Sequence, residues 1–338
     1  MAVAPDRDPD EPERASSTPE SRKAAAHQAL VGSRKAGRGD RTFGGLALAS
    51  GLLVLLILGL IAITTTVQAW PAIKEEGLNF FFSSEWNPSQ GKFGGLGLIW
   101  GTLLSSLIAL LIAVPVSLGI ALFTTEVAGK KLRSPIGMLI DLLAAIPSVV
   151  YGLWALFVLI PWIEPLYQSI AGSIGSWPVF SWFLGEPAYG KSIMTASLIL
   201  ACMITPIITS LSREIVATVP NAQREAALAL GATRWEMIRG AIFPWSRGGI
   251  TGAVMLGLGR AMGETIAVAL VIGGSVQITT HLFEPGSTMA EIIANQFGEA
   301  SGNHRAALIG LGAALFVITI LVNVSAQRII SRFDRMAK

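Results

Sequence analysis

The sequence predicts an all-α integral membrane protein with six transmembrane helices, and three observations lead to that class. The chain of 338 residues is 52% hydrophobic and 14% charged, whereas soluble domains carry about 25% charged residues. Its apolar residues gather into segments long enough to cross about 30 Å of hydrocarbon at about 1.5 Å per residue. Its basic residues alternate between rich and poor segments along the chain, as the loops of a membrane protein do.

The first part of the chain, residues 1–41, predicts a disordered cytoplasmic tail. It is rich in Pro, Ser, Ala and charged residues and has no apolar periodicity. Its last basic residues, among them Arg34 and Arg41, are interpreted as an anchor before the first span. A lipid-binding or regulatory arm is the alternative. Residues 42–338 then form a single transmembrane domain.

Six apolar segments give the predicted spans, and their flanking charges give the orientation. The predicted inner segments carry eight, three, five and four Lys or Arg residues, against two, one and one in the outer segments. This asymmetry places both termini in the cytoplasm. The predicted spans are residues 44–67, 95–124, 135–160, 192–217, 246–274 and 306–327.

A polar insert between the fourth and fifth spans, residues 220–244, predicts a cytoplasmic helical hairpin. Residues 221–230 are rich in Ala, Leu and Glu, and Gly231 is suited to end that helix. The run Thr233–Glu236 is a capping box that starts a second helix, and Pro244 is expected to stop it. An ordinary structural loop is one alternative. A helix-turn-helix for nucleic acid is disfavoured, because the hairpin is held close to two spans.

Two charged residues lie within the fifth span, four positions apart on one helical face, namely Arg260 and Glu264. A charge at the bilayer centre costs about 2.5–3.5 kcal/mol, which a structural Arg–Glu bridge would lower. The other interpretation is an anion station on a pathway, since a guanidinium matches the oxygens of a phosphate. Both roles remain open. Asp141 and Glu126 are further candidates, but both lie near the predicted inner face and are expected to be solvated or snorkelling carboxylates.

The remaining chemistry-bearing residues predict neither a catalytic site nor a metal site. The single cysteine, Cys202, excludes an internal disulfide and is expected to be a small core residue. Residues 185–192, GEPAYGKS, fit the letters of a nucleotide-binding P-loop. The match is interpreted as coincidence, because a Trp-rich outer loop precedes it and a membrane span follows. No nucleophile–base pair or metal-ligand cluster is found, so we expect no enzyme and no cofactor bound by this chain.

The hairpin sequence from residue 225, EAALALGATRWEMIRGAIFP, resembles the EAA loop of bacterial ABC importer permeases. It departs from that pattern at Ala241 and Phe243, where the pattern has Ile and Leu. The run GLGRAMGETIAV around Arg260 resembles the phosphate-specific permeases of this class, and the PstC-type subunit more than its PstA-type partner. The resemblance covers about residues 42–338. The hairpin matches at Glu225, Ala226, Ala227, Gly231 and Pro244.

This resemblance implies a type I ABC importer permease fold in the bacterial cytoplasmic membrane, with both termini inside. The chain would form half of the pathway for inorganic phosphate, with Arg260 and Glu264 lining it and the five matching hairpin residues contacting an ATPase. The implied partners are a second, PstA-type permease, an external phosphate-binding protein, membrane lipid and two ATPase subunits, which would hold ATP and Mg. The alternatives are a permease for sulfate or molybdate, and a membrane scaffold or sensor of phosphate status.

Overall fold

The computed structural model describes residues 38–174, 183–184 and 190–336, and these are predominantly helical. Within them the one sheet is a β-hairpin, in which β1 (Trp86–Asn87) pairs antiparallel with β2 (Lys92–Phe93). The predicted all-α class is confirmed. Residues 1–37 of the predicted tail lie outside the described residues, and residues 38–41, for which the sequence predicts disorder, are helical. The helices are α1 (Arg38–Glu76), α2 (Asn79–Phe82), α3 (Leu96–Leu122), α4 (Lys130–Ala145), α5 (Ser148–Trp154), α6 (Ile160–Ile174), α7 (Ile193–Ala217), α8 (Asn221–Ala229), α9 (Arg234–Met237), α10 (Phe243–Met262), α11 (Ile266–Val271), α12 (Met289–Gln296) and α13 (Gly302–Met336).

The chain divides into two units, and the first ends at Ile61. Its described part belongs to helix α1 and carries large apolar side chains that are exposed, such as Leu46, Leu52 and Leu55. Such a surface would be unfavourable in water, and it is the surface that a helix in hydrocarbon requires.

The second unit begins at Ala62 and is built around helix α7. Two thirds (67%) of the most apolar stretch of α7 is buried, against 28% for α3, which packs along it. The core of α7 includes Ile199, Ile204 and Ile208, which are fully buried. Cys202 on the same helix was expected in the core, and this prediction is wrong. Its side chain is exposed because it faces an apolar groove beside Tyr151.

Five described stretches are long and apolar enough to cross a membrane. The predicted third span is displaced, because α4 ends at Ala145 and a new helix begins at Ser148. Pro147 explains the break, since proline disfavours helical geometry in the residue before it. The number of six crossings and the orientation of the termini stay predictions. The five stretches are Thr42–Glu76, Leu96–Val127, Ser148–Ser173, Ile193–Ala217 and Gly302–Arg328.

The predicted fifth span, 246–274, is two helices and not one. Helix α10 ends at Met262, and α11 begins at Ile266 after a break that contains Gly263 and Glu264. The break lies beside the intramembrane charges, so it decides where their side chains point.

The sequence predicts that Pro244 stops the second hairpin helix, and this prediction is wrong. Helical geometry continues from α9 through a π-helical turn, Ile238–Ile242, directly into α10. A proline has no N–H to donate and its ring crowds the carbonyl four residues earlier, here that of Gly240. The wider π-helical turn just before Pro244 relieves this conflict, so the hairpin is joined rigidly to α10.

Helix α3 contacts the segment before α12 through two glycines. A Cβ at Gly97 would collide with the carbonyl oxygen of Val276, and one at Gly101 with that of Ser287. The Thr102 hydroxyl also accepts a hydrogen bond from the Met289 N–H at 3.0 Å. Glycine is therefore required here for close approach to the backbone.

Replacing Gly101 with valine is expected to destabilise the protein by about 2 kcal/mol or more, because a rigid backbone segment must move to admit the side chain. The measurement is the midpoint of thermal unfolding of the detergent-purified protein. Gly119→Val on the same helix is the control, since a Cβ there has open space. Equal midpoints for the two variants would contradict the close packing at Gly101.

Candidate functional site

A cavity of about 790 Å³ lies between helices α7, α10 and α13. Arg260, in the last turn of α10, points its exposed side chain into this space. Within the described residues, Arg260 forms no hydrogen bond and no ion pair. The cavity thus contains a guanidinium whose donors are available to a ligand. The lining residues are Ile207, Gly252, Met255, Leu256, Gly259, Arg260, Gly263, Glu264, Asn323 and Gln327.

Glu264 lines the same cavity but is almost buried, with 8% of the residue exposed. Its Oε1 accepts a hydrogen bond from the Ala267 N–H at 3.3 Å, so it caps the start of α11. Arg260 and Glu264 form no ion pair within 4.0 Å in the described structure, because the helix ends at Met262, between them. The hypothesis of a structural Arg–Glu bridge is therefore not what the structure shows.

Two glycines of α10 leave space for the cavity that Arg260 lines. A Cβ at Gly252 or Gly259 would meet nothing within 4 Å, so each leaves open space on the cavity side of α10. Gly257, on another side of α10, instead packs closely against Ile208 of α7. The glycine-rich sequence of this helix therefore serves close packing on one face and an open cavity on another.

The polar hairpin forms as the sequence predicts in its first part. Helix α8 ends at Ala229, and Gly231 follows with a φ of +84°, which glycine adopts readily. The Thr233 hydroxyl accepts from the Glu236 N–H at 3.3 Å, and the Thr233 N–H donates to Glu236 Oε2 at 2.8 Å. The Thr233 hydroxyl also donates to Glu236 Oε2 at 2.9 Å, and the bonds that this oxygen accepts from the Thr233 N–H and hydroxyl hold the pKa of the Glu236 carboxyl below its ordinary value.

One side of the hairpin is anchored to the protein. Ala227 packs against a buried cluster that includes Val216, Met237 and Ile242. Leu122, near the end of α3, contacts the same cluster. A small residue at position 227 therefore lets the hairpin pack closely on the ends of two apolar helices.

The other side of the hairpin is free in the described structure. Glu225 and Ala226 are exposed, and Glu225 has no hydrogen-bond or ion-pair partner among the described residues. Large apolar side chains accompany them, with Leu230 90% and Trp235 62% exposed. Apolar residues exposed on a polar hairpin indicate a surface for another protein.

A buried ion pair fastens this hairpin to the end of the second span. Arg224 Nη2 donates to Glu126 Oε1 at 3.1 Å, and the Glu126 side chain is 9% exposed. Arg234 Nη1 donates to the Glu126 carbonyl oxygen at 2.9 Å. The expectation of a solvated or snorkelling Glu126 is therefore wrong. The sequence holds no local signal for this pair, because 98 residues separate Arg224 from Glu126.

Replacing Glu126 with glutamine is expected to lower stability by about 3 kcal/mol, because it leaves the guanidinium of Arg224 buried without a counter-charge. The measurement is again the midpoint of thermal unfolding, with Glu214→Gln as the control. Glu214 is exposed and has no such partner among the described residues. If both variants unfold at the wild-type midpoint, the ion pair does not fasten the hairpin.

The P-loop-like segment has a structural use at its end. Residues 185–189 lie outside the described residues, but Gly190 has a φ of +66° and Ser192 caps α7. The Ser192 hydroxyl accepts from the Thr195 N–H at 3.2 Å. The Ser of GEPAYGKS is thus used as a helix cap.

Comparisons with known proteins show the family to which the chain belongs. A family described as "Binding-protein-dependent transport system inner membrane component" matches residues 113–337. The phosphate transport system permease protein PstC of Xylella fastidiosa (strain Temecula1) is 45% identical over 302 residues, 88% of this chain and 92% of that protein. The PstC protein of Mesorhizobium japonicum is 44% identical, over 87% and 91% of the two chains.

A solved structure gives the fold independently. The crystal structure of a bacterial alginate ABC transporter in complex with an alginate pentasaccharide-bound periplasmic protein matches with a TM-score of 0.57 at 19% identity. The match covers 88% of this chain and 97% of that one. The fold is that of an ABC transporter permease, and with its apolar helices the chain is a multi-pass protein of the bacterial plasma membrane. The chain belongs to the family of inner membrane components of binding-protein-dependent transport systems.

Proposed function

We propose that this chain is a permease subunit of an ATP-driven importer and forms half of the transmembrane pathway for inorganic phosphate. The observation that carries the proposal is Arg260, a guanidinium that faces a cavity in the membrane domain without a partner among the described residues. Relatives 40–45% identical to this chain bear the name phosphate transport system permease protein.

The position of Arg260 suits transient binding of an oxyanion. A charge near the bilayer centre costs about 2.5–3.5 kcal/mol, so a guanidinium without a counter-charge requires water or an anionic ligand. Its planar donors match two oxygens of a phosphate. Since no carboxylate pairs with it in the described structure, an incoming anion has no internal salt bridge to break.

Glu264 supplies a second chemical feature of the pathway. Its carboxylate lies in the same cavity and is held by the backbone of α11. A protonated phosphate carries a P–OH group that donates to a carboxylate, whereas sulfate at neutral pH has no such donor. Glu264 is therefore proposed to accept that hydrogen bond and to disfavour fully deprotonated oxyanions.

The hairpin is proposed to transmit force from an ATPase. Glu225, Ala226 and the exposed Leu230 would contact a groove of that subunit, while Ala227, Gly231 and Pro244 set the shape of the hairpin. Because the π-helical turn joins the hairpin to α10, a movement of the hairpin would reach the helix that carries Arg260. ATP and Mg would be held by two such ATPase subunits, and this chain would hydrolyse no ATP.

The remaining partners follow from the same proposal. A second, PstA-type permease would complete the pathway, and an external phosphate-binding protein would deliver the anion to it. The chain would cross the membrane six times with both termini in the cytoplasm, as the basic residues predict. ATP binding would convert the pathway from inward-facing to outward-facing, and hydrolysis would reverse it.

The test is labelled phosphate uptake in cells with and without this chain, competed by unlabelled sulfate or molybdate. Loss of high-affinity uptake on deletion, restored by the gene and insensitive to both competitors, is the expected result. Strong competition by sulfate or molybdate would indicate a permease for another oxyanion. Unchanged uptake together with lost phosphate signalling would indicate a membrane scaffold or sensor.

A further inference from the structure

The cavity that Arg260 lines also carries two carboxamide side chains, both on α13. Asn323 and Gln327 of α13 line the same cavity as Arg260 and Glu264. They are four residues apart, so they lie one above the other on one face of the helix. Neither has a hydrogen-bond partner within the described residues. The cavity therefore has a charged wall on α10 and a neutral polar wall on α13.

The two amides are polar side chains within an apolar segment, which indicates that they contact water or a polar ligand. Both lie in the last part of an apolar stretch, Gly302–Arg328, which is long enough to cross a membrane. An amide without a partner in hydrocarbon is unfavourable, since its hydrogen bonds to water are lost and not replaced. Such groups lie where they meet water or a polar ligand, and here they meet the space in front of Arg260.

We propose that Asn323 and Gln327 are further contact residues for the transported anion, on the α13 side of the cavity that Arg260 lines. This inference rests on the proposed phosphate pathway and adds a substrate-binding element to it. An amide N–H donates to a phosphate oxygen, and an amide C=O accepts from a P–OH group. Being neutral, the amides hold the anion less tightly than a second guanidinium would, so the anion leaves Arg260 without being trapped again.

The location of the two amides also suggests the stage at which they act. Gln327 is next to the end of the apolar stretch, and Gly252, which lines the same cavity, is in the middle of α10. In the proposed orientation Gln327 is toward the cytoplasm, and Arg260 is about 12 Å further along α10 than Gly252, toward the outer end of that helix, at about 1.5 Å per residue. Asn323 and Gln327 therefore contact the anion after Arg260, on its way out.

The experiment measures phosphate uptake by the complete transporter in proteoliposomes, with Asn323→Asp and Gln327→Glu. Both variants keep the shape of the side chain and place a negative charge on the exit path. Each is expected to lower the maximal uptake rate by about tenfold or more, equivalent to about 1.4 kcal/mol in the barrier. The half-saturating concentration of phosphate-loaded binding protein is expected to stay unchanged, because docking occurs on the outer face. Asn323→Gln, which keeps an amide, is expected to retain most of the rate.

The control is Gln90→Glu, the same change of an amide to a carboxylate at an exposed outer position, and its rate is expected to be that of the wild type. Rates are normalised to the amount of assembled transporter, so a poorly inserted variant does not imitate the effect. If Asn323→Asp and Gln327→Glu both import at the wild-type rate while Arg260→Ala is inactive, the amides do not contact the anion. A wild-type transporter that imports no phosphate would instead refute the proposed function.

Discussion

Replacing Arg260 with alanine is expected to lower the rate of phosphate uptake by about 100-fold or more. The loss of two charge-assisted hydrogen bonds, each worth about 1.5–3 kcal/mol, corresponds to at least this factor in rate. Stability is expected to change little, because Arg260 is exposed to the cavity and has no ion-pair partner among the described residues. The measurement is initial uptake of labelled phosphate by cells that contain equal amounts of each variant.

Arg260→Lys separates the charge from the shape of the guanidinium. Lysine keeps the positive charge but offers no planar fork, so an intermediate rate is expected. A lysine variant as inactive as the alanine variant would show that bidentate binding is essential. Normal uptake by the alanine variant would remove Arg260 from the pathway.

Replacing Leu230 with aspartate is expected to abolish ATP-driven uptake, with a fall of about 100-fold or more, while the protein remains folded. Leu230 is 90% exposed at the tip of the hairpin, so the change costs the isolated chain little. In the proposed complex it places an unpaired charge in an apolar protein interface, where central residues contribute about 2–4 kcal/mol each. The measurements are uptake, and ATP hydrolysis stimulated by the binding protein.

Leu78→Asp is the matched control, since Leu78 is a leucine of similar exposure (76%) in the segment between α1 and α2. This control is expected to retain both uptake and stimulated ATP hydrolysis. Wild-type uptake with Leu230→Asp would contradict the assignment of the hairpin as the ATPase contact. Lost signalling with intact uptake would support the sensor alternative instead.

The parts of the fold that were predictable from sequence are those with short-range causes. The turn at Gly231 and the capping box at Thr233 depend on residues within four positions, and both form as predicted. The apolar class of the chain depends on composition alone, and the structure confirms it. The hairpin and the presence of membrane helices were therefore accessible without coordinates.

The errors at Pro244 and in the fifth apolar segment both concern the course of a helix at an irregular turn or break. The sequence predicts that Pro244 stops the helix, but the π-helical turn Ile238–Ile242 accommodates the proline. The fifth apolar segment was read as one helix, yet it breaks beside Glu264, whose carboxylate then caps α11. Apolar periodicity gives no signal for either feature, since a broken helix and a straight one have the same composition.

The candidate site was predictable from the sequence only in part. Arg260 stands out because a charge in an apolar segment is rare, and the structure places it in a cavity. Asn323 and Gln327 gave no comparable signal, since single amides near the end of an apolar segment are unremarkable in composition. The Glu126–Arg224 pair was hidden because its members are distant in sequence.

The most direct test of the pathway is charge restoration at position 260. Arg260→Cys is made in a transporter with Cys202→Ser and no other reactive cysteine, and phosphate uptake is measured before and after thiol modification. The account predicts that uptake is lost on substitution, returns in part after attachment of a positively charged aminoethyl group, and stays lost with a negatively charged sulfonatoethyl group. Normal uptake by the unmodified cysteine variant, or equal recovery with both groups, would contradict an anion pathway past Arg260.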